Sequence, residues 1–219
     1  MDNFRLLSTK ILSSDLQKRL IQTGVTLSSW NFIEVTPKSF SVEMKDQALI
    51  FTSQNAVKAT LSQQSFQSYK CYCVGEKTKA LLEKMGQKVI KSAKNASLLA
   101  DFIIKNIKNE TFIFFTGTLR MSEIEKKFKQ HQLPLTVVET YQTFLTPKAV
   151  GEPDGILFFS PSGVASYLQK NRLGKSQCFA IGTTTEEALR PYSESIITAN
   201  KPTVEHLISA VRKHLTTLV

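Results

Sequence analysis

No run of apolar residues in this 219-residue chain approaches the roughly 18–20 that span a bilayer. The first twenty residues, MDNFRLLSTKILSSDLQKRL, lack the basic cap, apolar block and small-residue cleavage site of a secretory signal. A cytoplasmic protein is therefore expected. Cysteine is scarce, with only Cys71, Cys73 and Cys178. In a strand, alternation points Cys71 and Cys73 to the same sheet face, which is poor disulfide geometry for near neighbours, so all three read as structural thiols. The three histidines, His131, His206 and His214, read as surface residues in helical or polar stretches. They form no ligand-spaced set with the cysteines, so no metal site is expected.

Several catalytic signatures are also missing. The chain has no GxxxxGK(S/T) phosphate loop, no GxGxxG after a strand, no GxSxG elbow and no HExxH helix. No loop joins a serine or cysteine to a histidine base. An enzyme built from this chain would work by binding and folding a reactive substrate, with modest help in proton transfer.

What the chain does have is positive charge. Lys and Arg number 28 against 18 Asp and Glu, giving a net +10 and a pI near 9.5. That balance suits an anionic partner, whether nucleic acid, a membrane surface or a polyacidic small molecule. It also fits a well-solvated surface, because the lysines are spread along the chain and form no basic block. No zinc finger, helix-turn-helix or aromatic single-strand signature accompanies them. With 42% hydrophobic and 21% charged residues the chain can fill a packed core, and its length suits one large domain or two of about 100 residues each.

The second half repeats the first at a nearly constant offset. FRLLSTKILSSDLQKRL (4–20) lies over FIFFTGTLRMSEIEKKF (112–128), and VTPK (35–38) over LTPK (145–148). FTSQNAV (51–57) lies over FFSPSGV (158–164), CVGEKTKALL (73–82) over AIGTTTEEAL (180–189), and NASLLADFIIKNI resembles PTVEHLISAVRKHL. Blocks in the same order, offset by 107 to 110 wherever they align closely, read as two copies of one unit. Within each copy short β-rich runs alternate with amphipathic stretches: ALIFTS precedes QNAVKATLSQQSF, KCYCVG precedes EKTKALLEKMG, FIFFTG precedes LRMSEIEKKFKQH, and GILFFS precedes SGVASYLQK. Leu81, Leu82 and Met85 follow helical periodicity and Gly86 supplies the stop. Parallel sheets flanked by helices follow.

The two TPK segments interrupt that alternation. Pro37 and Pro147 suit a sheet edge or a connector, so the chain could pass between two domains there. One domain would then be discontinuous, 1–36 plus 148–219, with 37–147 inserted. Two continuous halves divided near residue 110 fit the duplication equally well.

In parallel α/β sheets ligands meet the loops after the strands' carboxyl ends, where helix N-termini present N–H groups and a positive dipole end. Here those loops carry hydroxyls or glycine: Thr9-Lys10, Thr52-Ser53, Gly75 to Thr78, Thr116-Gly117, Ser160 to Gly163, and Gly182 to Thr185. Each alone also reads as ordinary helix capping. Together, on a basic protein, they suggest donors for an acidic ligand. Tyr141, in VVETYQTF, has no counterpart, since the matching position is Asn31. Its phenol can donate a hydrogen bond or a proton to a ligand, or simply pack in a strand.

FTSQNAV, VGEKT, VETYQTF, FFSPSGV, AIGTTTEEAL and TANKPTVEHLISAV, in this order from about residue 4 to 213, resemble the uroporphyrinogen-III synthase family. The resemblance implies a cofactor-free, cyclising hydro-lyase of tetrapyrrole and heme biosynthesis. The family converts linear hydroxymethylbilane, which carries eight carboxylates, to uroporphyrinogen III. Water is lost and the last pyrrole ring, ring D, is inverted, whereas spontaneous closure leaves it uninverted. The fold implied is α/β: two similar flavodoxin- or Rossmann-like domains with parallel sheets, joined by a two-stranded connector, with substrate in the inter-domain cleft. That favours the discontinuous arrangement, 1–36 plus 148–219 around 37–147.

Carried over by position, Tyr141 falls on the tyrosine proposed to assist departure of the hydroxyl. Thr78, Thr184 and Thr185 fall on cleft threonines, and Ser160, Ser162 and Gly163 on a carboxylate-binding turn. Thr9, Lys10, Thr52, Ser53, Thr116 and Gly117 complete the expected substrate contacts. Ser53, in the plainer of the two copies, reads as the residue whose loss to alanine costs little. Two departures stand out: Thr9-Lys10 replaces the family's Thr-Arg, a point charge for a planar fork, and Gly182-Thr183-Thr184-Thr185 replaces Gly-Pro-Thr-Thr. A monomer is expected, without nucleic-acid or membrane partners. The competing reading is a cytoplasmic two-domain protein that binds an anionic small molecule without chemistry.

Overall fold

The computed structural model describes residues 3–120 and 122–217. Its elements, in chain order, are β1 (Arg5–Ser8), α1 (Ser14–Ile21), β2 (Thr26–Ser29), β3 (Ile33–Pro37), β4 (Ala48–Phe51), α2 (Gln54–Leu61), β5 (Lys70–Val74), α3 (Glu76–Lys84), β6 (Lys88–Ala93) and α4 (Ala96–Asn106). There follow β7 (Phe112–Gly117), α5 (Glu123–Gln130), β8 (Leu135–Leu145), β9 (Gly155–Phe158), α6 (Pro161–Leu168), β10 (Gln177–Ala180), α7 (Thr183–Leu189), β11 (Ile196–Thr198) and α8 (Val204–Thr216).

The chain divides into two compact units, Met1–Glu34 with Phe144–Val219, and Val35–Thr143. It passes from one to the other within β3 and again within β8. The first unit holds a five-stranded sheet in the order β11-β10-β9-β1-β2, and the other sheet runs β3-β8-β7-β4-β5-β6. The pairings β2-β1-β9-β10-β11 and β8-β7-β4-β5-β6 are all parallel.

The repeats are divided between these two sheets. Sequence matching equates β1 with β7, β9 with β4, and β10 with β5, and each matched strand holds the same place in its sheet. Each unit therefore takes one βαβ from one repeat and the remaining strands from the other. Neither repeat folds as a unit by itself. The two sheets are the same fold with the chain entering at different points.

Central strands of parallel sheets are covered on both faces and read as continuous apolar runs. ALIF in β4, FIFFTG in β7 and GILF in β9 are buried at every residue. Alternation then deals their side chains to two cores per sheet. Leu49, Phe51, Ile113 and Phe115 fill one face with Cys71 and Cys73, while Ala48, Ile50, Phe112 and Phe114 fill the other with Tyr72. Phe51 stacks on Phe115 with ring centroids 5.4 Å apart, a geometry that adds to the area buried. In the other unit Leu6 and Leu157 face one core, and Leu7, Ile156 and Cys178 face the other.

The three cysteines are free and buried. Burial pushes the Cys71 thiol up to about 12 and Cys178 up to about 11, and raises Cys73. Such thiols are poor nucleophiles at neutral pH.

Several local expectations need correction. The stretch QNAVKATLSQQSF is helical only to Leu61, and beyond it the chain turns so that Phe66 can enter the core against Phe51. Met85 is the C-cap of α3, just before Gly86 at φ +74°, and is exposed. His214 is half-buried with its ring edge-to-face on Phe4 and Phe179, so an apolar environment holds it. His206 is also partly covered, and its Nδ1 lies 2.9 Å from the Thr203 hydroxyl. Pro37 ends β3, which lies at the edge of its sheet, where its missing N–H costs no ladder bond. Pro147 lies just past β8.

Candidate active site

The candidate residues sit at the carboxyl ends of adjacent parallel strands in each unit. In the unit that contains β1, β9 and β10, Ser160 is the N-cap of α6, accepting from the Gly163 N–H at 3.1 Å. Its hydroxyl also lies 3.1 Å from that of Ser162. Pro161 occupies the first helical turn, where a missing N–H leaves no gap. A Cβ on Gly163 would lie 3.7 Å from the Thr9 hydroxyl, so these two loops are neighbours. Thr9 itself is buried and donates its hydroxyl to the Leu157 carbonyl at 2.8 Å. Lys10 and Thr184 are exposed, whereas Thr185 is buried.

In the other unit the candidates lie at the ends of β4, β5 and β7, and Tyr141 lies within β8 opposite the end of β7. Thr78 and Thr116 are buried, and Thr52 is half-buried. Thr9, Thr78, Thr116 and Thr185 thus turn inward. Those that keep an open side are Lys10, Thr52, Ser53, Ser160, Ser162, Thr184 and Tyr141.

Tyr141 owes its position to a bulge. Along β7 and β8 the register runs Phe115 to Val138 and Thr116 to Glu139, then skips Thr140 to pair Gly117 with Tyr141. The extra residue re-aims the side chain that follows, a common use of bulges near functional sites. Thr140 is buried and its hydroxyl bonds the Thr116 carbonyl at 3.3 Å. The phenol then lies across Gly117. A Cβ there would sit 2.4 Å from the ring's Cζ and 2.8 Å from its oxygen. At its tip the phenol oxygen is 3.1 Å from the Ser53 hydroxyl, which accepts from the Ala56 N–H at the start of α2.

Next to this stands an ionic network that the sequence did not single out. Arg120 Nη1 donates to Glu139 at 3.0 Å and to the Gly117 carbonyl at 3.4 Å, while its Nε donates to Glu125 at 2.8 Å. Lys38 holds the other Glu139 oxygen at 2.7 Å. Lys38 and Arg120 hold the Glu139 carboxyl below its ordinary range. The network ties the end of β7 to β8 beside the bulge.

The duplication carried one usable signal for the tyrosine's surroundings. Where this unit has Gly117 and Tyr141, the other has Thr9 and Asn31, whose side chain accepts from the Ile11 N–H at 2.8 Å. A side chain on residue 117 would occupy the space taken by the ring of Tyr141. Among the described residues no group of three or more His, Cys, Asp or Glu could hold a metal ion. No helix among them is long and apolar enough to cross a membrane.

Fold and site define a duplicated, two-unit α/β protein whose strand-end loops carry hydroxyls and helix N-termini in each unit, with one phenol, on β8, beside those of the second. The family model described as uroporphyrinogen-III synthase HemD matches residues 14–209, and the chain belongs to that family. It is 29% identical over 189 residues to the uroporphyrinogen-III synthase of Chlorobaculum parvum, covering 74% of each chain. Its fold is similar to that of uroporphyrinogen-III synthetase from Helicobacter pylori, with a TM-score of 0.71 at 17% identity over 99% of this chain and 100% of that one. A mutant synthase from Thermus thermophilus gives 0.71 at 11% identity, over 98% of each.

Proposed function

We propose that this chain closes linear hydroxymethylbilane to uroporphyrinogen III, with loss of water and inversion of ring D. The observation that carries this is the family match across residues 14–209. The net charge of +10 and the donor-rich strand ends support a substrate with eight carboxylates. Lys10, Thr52, Ser160, Ser162 and Thr184 are the open candidates for carboxylate contacts. Three buried free thiols support a reducing, cytoplasmic setting.

Tyr141 is the proposed proton donor. The terminal C–O bond of the substrate breaks with both electrons leaving on oxygen. That oxygen takes the phenol proton and departs as water, and the pyrrole nitrogen shares the positive charge left on carbon. After ring closure, the proton released as the pyrrole regains aromaticity returns to the phenolate. Atoms and charge then balance over the cycle.

The test supplies freshly made hydroxymethylbilane and separates isomer III from isomer I. The protein is expected to yield isomer III, and isomer I alone would refute the proposal. Tyr141→Phe should lower turnover by about 10²-fold, the low end for loss of a general acid. Near wild-type turnover would remove the tyrosine from that role.

A further inference from the structure

We infer that Ser53 is a positioning residue for Tyr141: it acts through the phenol and does not need to touch substrate. The inference rests on the reading of Tyr141 as proton donor. The two side chains are 88 residues apart in sequence and meet at 3.1 Å, Ser53 just past the end of β4 and Tyr141 within β8 opposite the last residue of β7.

Either hydroxyl could donate in that hydrogen bond, and the proton balance of the reaction favours Ser53 as the donor. Ser53 Oγ already accepts the Ala56 N–H at 3.1 Å, so its own hydrogen is available to the phenol oxygen. With Ser53 as donor, the phenol keeps its hydrogen for the departing oxygen. If the phenol donated to Ser53 instead, that hydrogen would point into the protein. Once the phenol has lost its proton, the Ser53 O–H and the positive end of α2 remain beside the negative charge.

The other copy separates this role from capping. Ser160, the counterpart of Ser53, caps α6 through the same 3.1 Å bond but meets Ser162 and no tyrosine. Capping is therefore common to both copies, and the phenol contact belongs to one. Steric fit supports the same assignment. Gly117 below the ring and Ser53 at its tip leave the phenol one place to lie.

The test compares five variants with the parent for stability, kcat, KM and isomer ratio. Aspartate caps helices as well as serine does but at neutral pH has no hydrogen to donate. Ser53→Asp should therefore fold as stably as the parent yet turn over as slowly as Ser53→Ala. Both should lose about 10- to 100-fold in kcat, not the small cost that the sequence suggested for Ser53→Ala, because the fold sets Ser53 against the Tyr141 hydroxyl; the loss is less than removal of a direct donor to a developing anion, with KM little changed. Ser53→Thr, which keeps both cap and hydroxyl, should retain most activity. In a Tyr141→Phe background, Ser53→Ala should cost nothing further. Parental kcat in Ser53→Asp would reduce Ser53 to a cap and overturn the inference. So would an equal loss from Ser53→Ala with and without the tyrosine hydroxyl. If Tyr141→Phe alone is fully active, the reading of the tyrosine has failed and this inference falls with it. Parental activity in Ser53→Ala alone refutes only the inference.

Discussion

Gly117→Ala is the most discriminating single change this structure offers. Its backbone φ lies outside the left-handed region, so alanine would ordinarily be neutral or stabilise by about 0.4–1 kcal/mol through the unfolded chain. Tyr141 reverses that sign. The new Cβ would sit 2.4 Å from Cζ and 2.5 Å from Cε2 of the ring. Carbon atoms in contact prefer about 3.5–4.0 Å, so the ring must retreat by about 1 Å. Overpacking of this kind costs about 1–3 kcal/mol. The 3.1 Å contact to Ser53 would stretch past hydrogen-bonding range, adding about 0.5–1.5 kcal/mol. A 1 Å misplacement of a catalytic group can cost about 10²-fold in rate. Urea unfolding and isomer III formation should therefore both worsen in Gly117→Ala. In a Tyr141→Ala background the same substitution should be neutral or stabilising. If Gly117→Ala costs the same stability with and without the ring, the contact does not constrain residue 117.

Two further outcomes follow from the charges and thiols. Glu139 is held below its ordinary value by Lys38 and Arg120, so its pairing stabilises the fold above about pH 4.3 and is lost as pH falls through the lowered value. Glu139→Gln should be less stable than the parent near pH 6.5, and the gap in urea midpoint should shrink as pH falls through and below the ordinary carboxylate range; a gap independent of pH would contradict this. Cys71, Cys73 and Cys178 should resist a thiol-specific reagent at pH 8 until denaturant is added, because burial raises all three. Rapid labelling of the native protein would show that one of them is accessible.

Much of the site's neighbourhood was visible in the sequence because it is local. A hydroxyl at the end of an apolar run, followed by amphipathic periodicity, marks a strand giving way to a capped helix, and Ser53 and Ser160 both proved to be N-caps. Burial was less legible. Thr78 and Thr185 occupy the third positions of α3 and α7, and the helix turn directs them inward. Thr184, one residue earlier, faces out. Linear spacing does not reveal that difference without the helix's orientation on its sheet.

By itself the sequence determined the repeat, the alternation of strand and helix, the strand-end loops and the singular tyrosine. These depend on periodicity and on comparison of one half of the chain with the other. Tertiary structure alone decided which repeat segment joins which sheet, since parallel strands pair to bury their faces whatever their order in the chain. It alone decided the bulge at Thr140, because pairing register belongs to two strands at once. The same holds for Tyr141: its sequence neighbours are Thr140 and Gln142, but its chemistry is set by Gly117 and Ser53, which only folding brings to it.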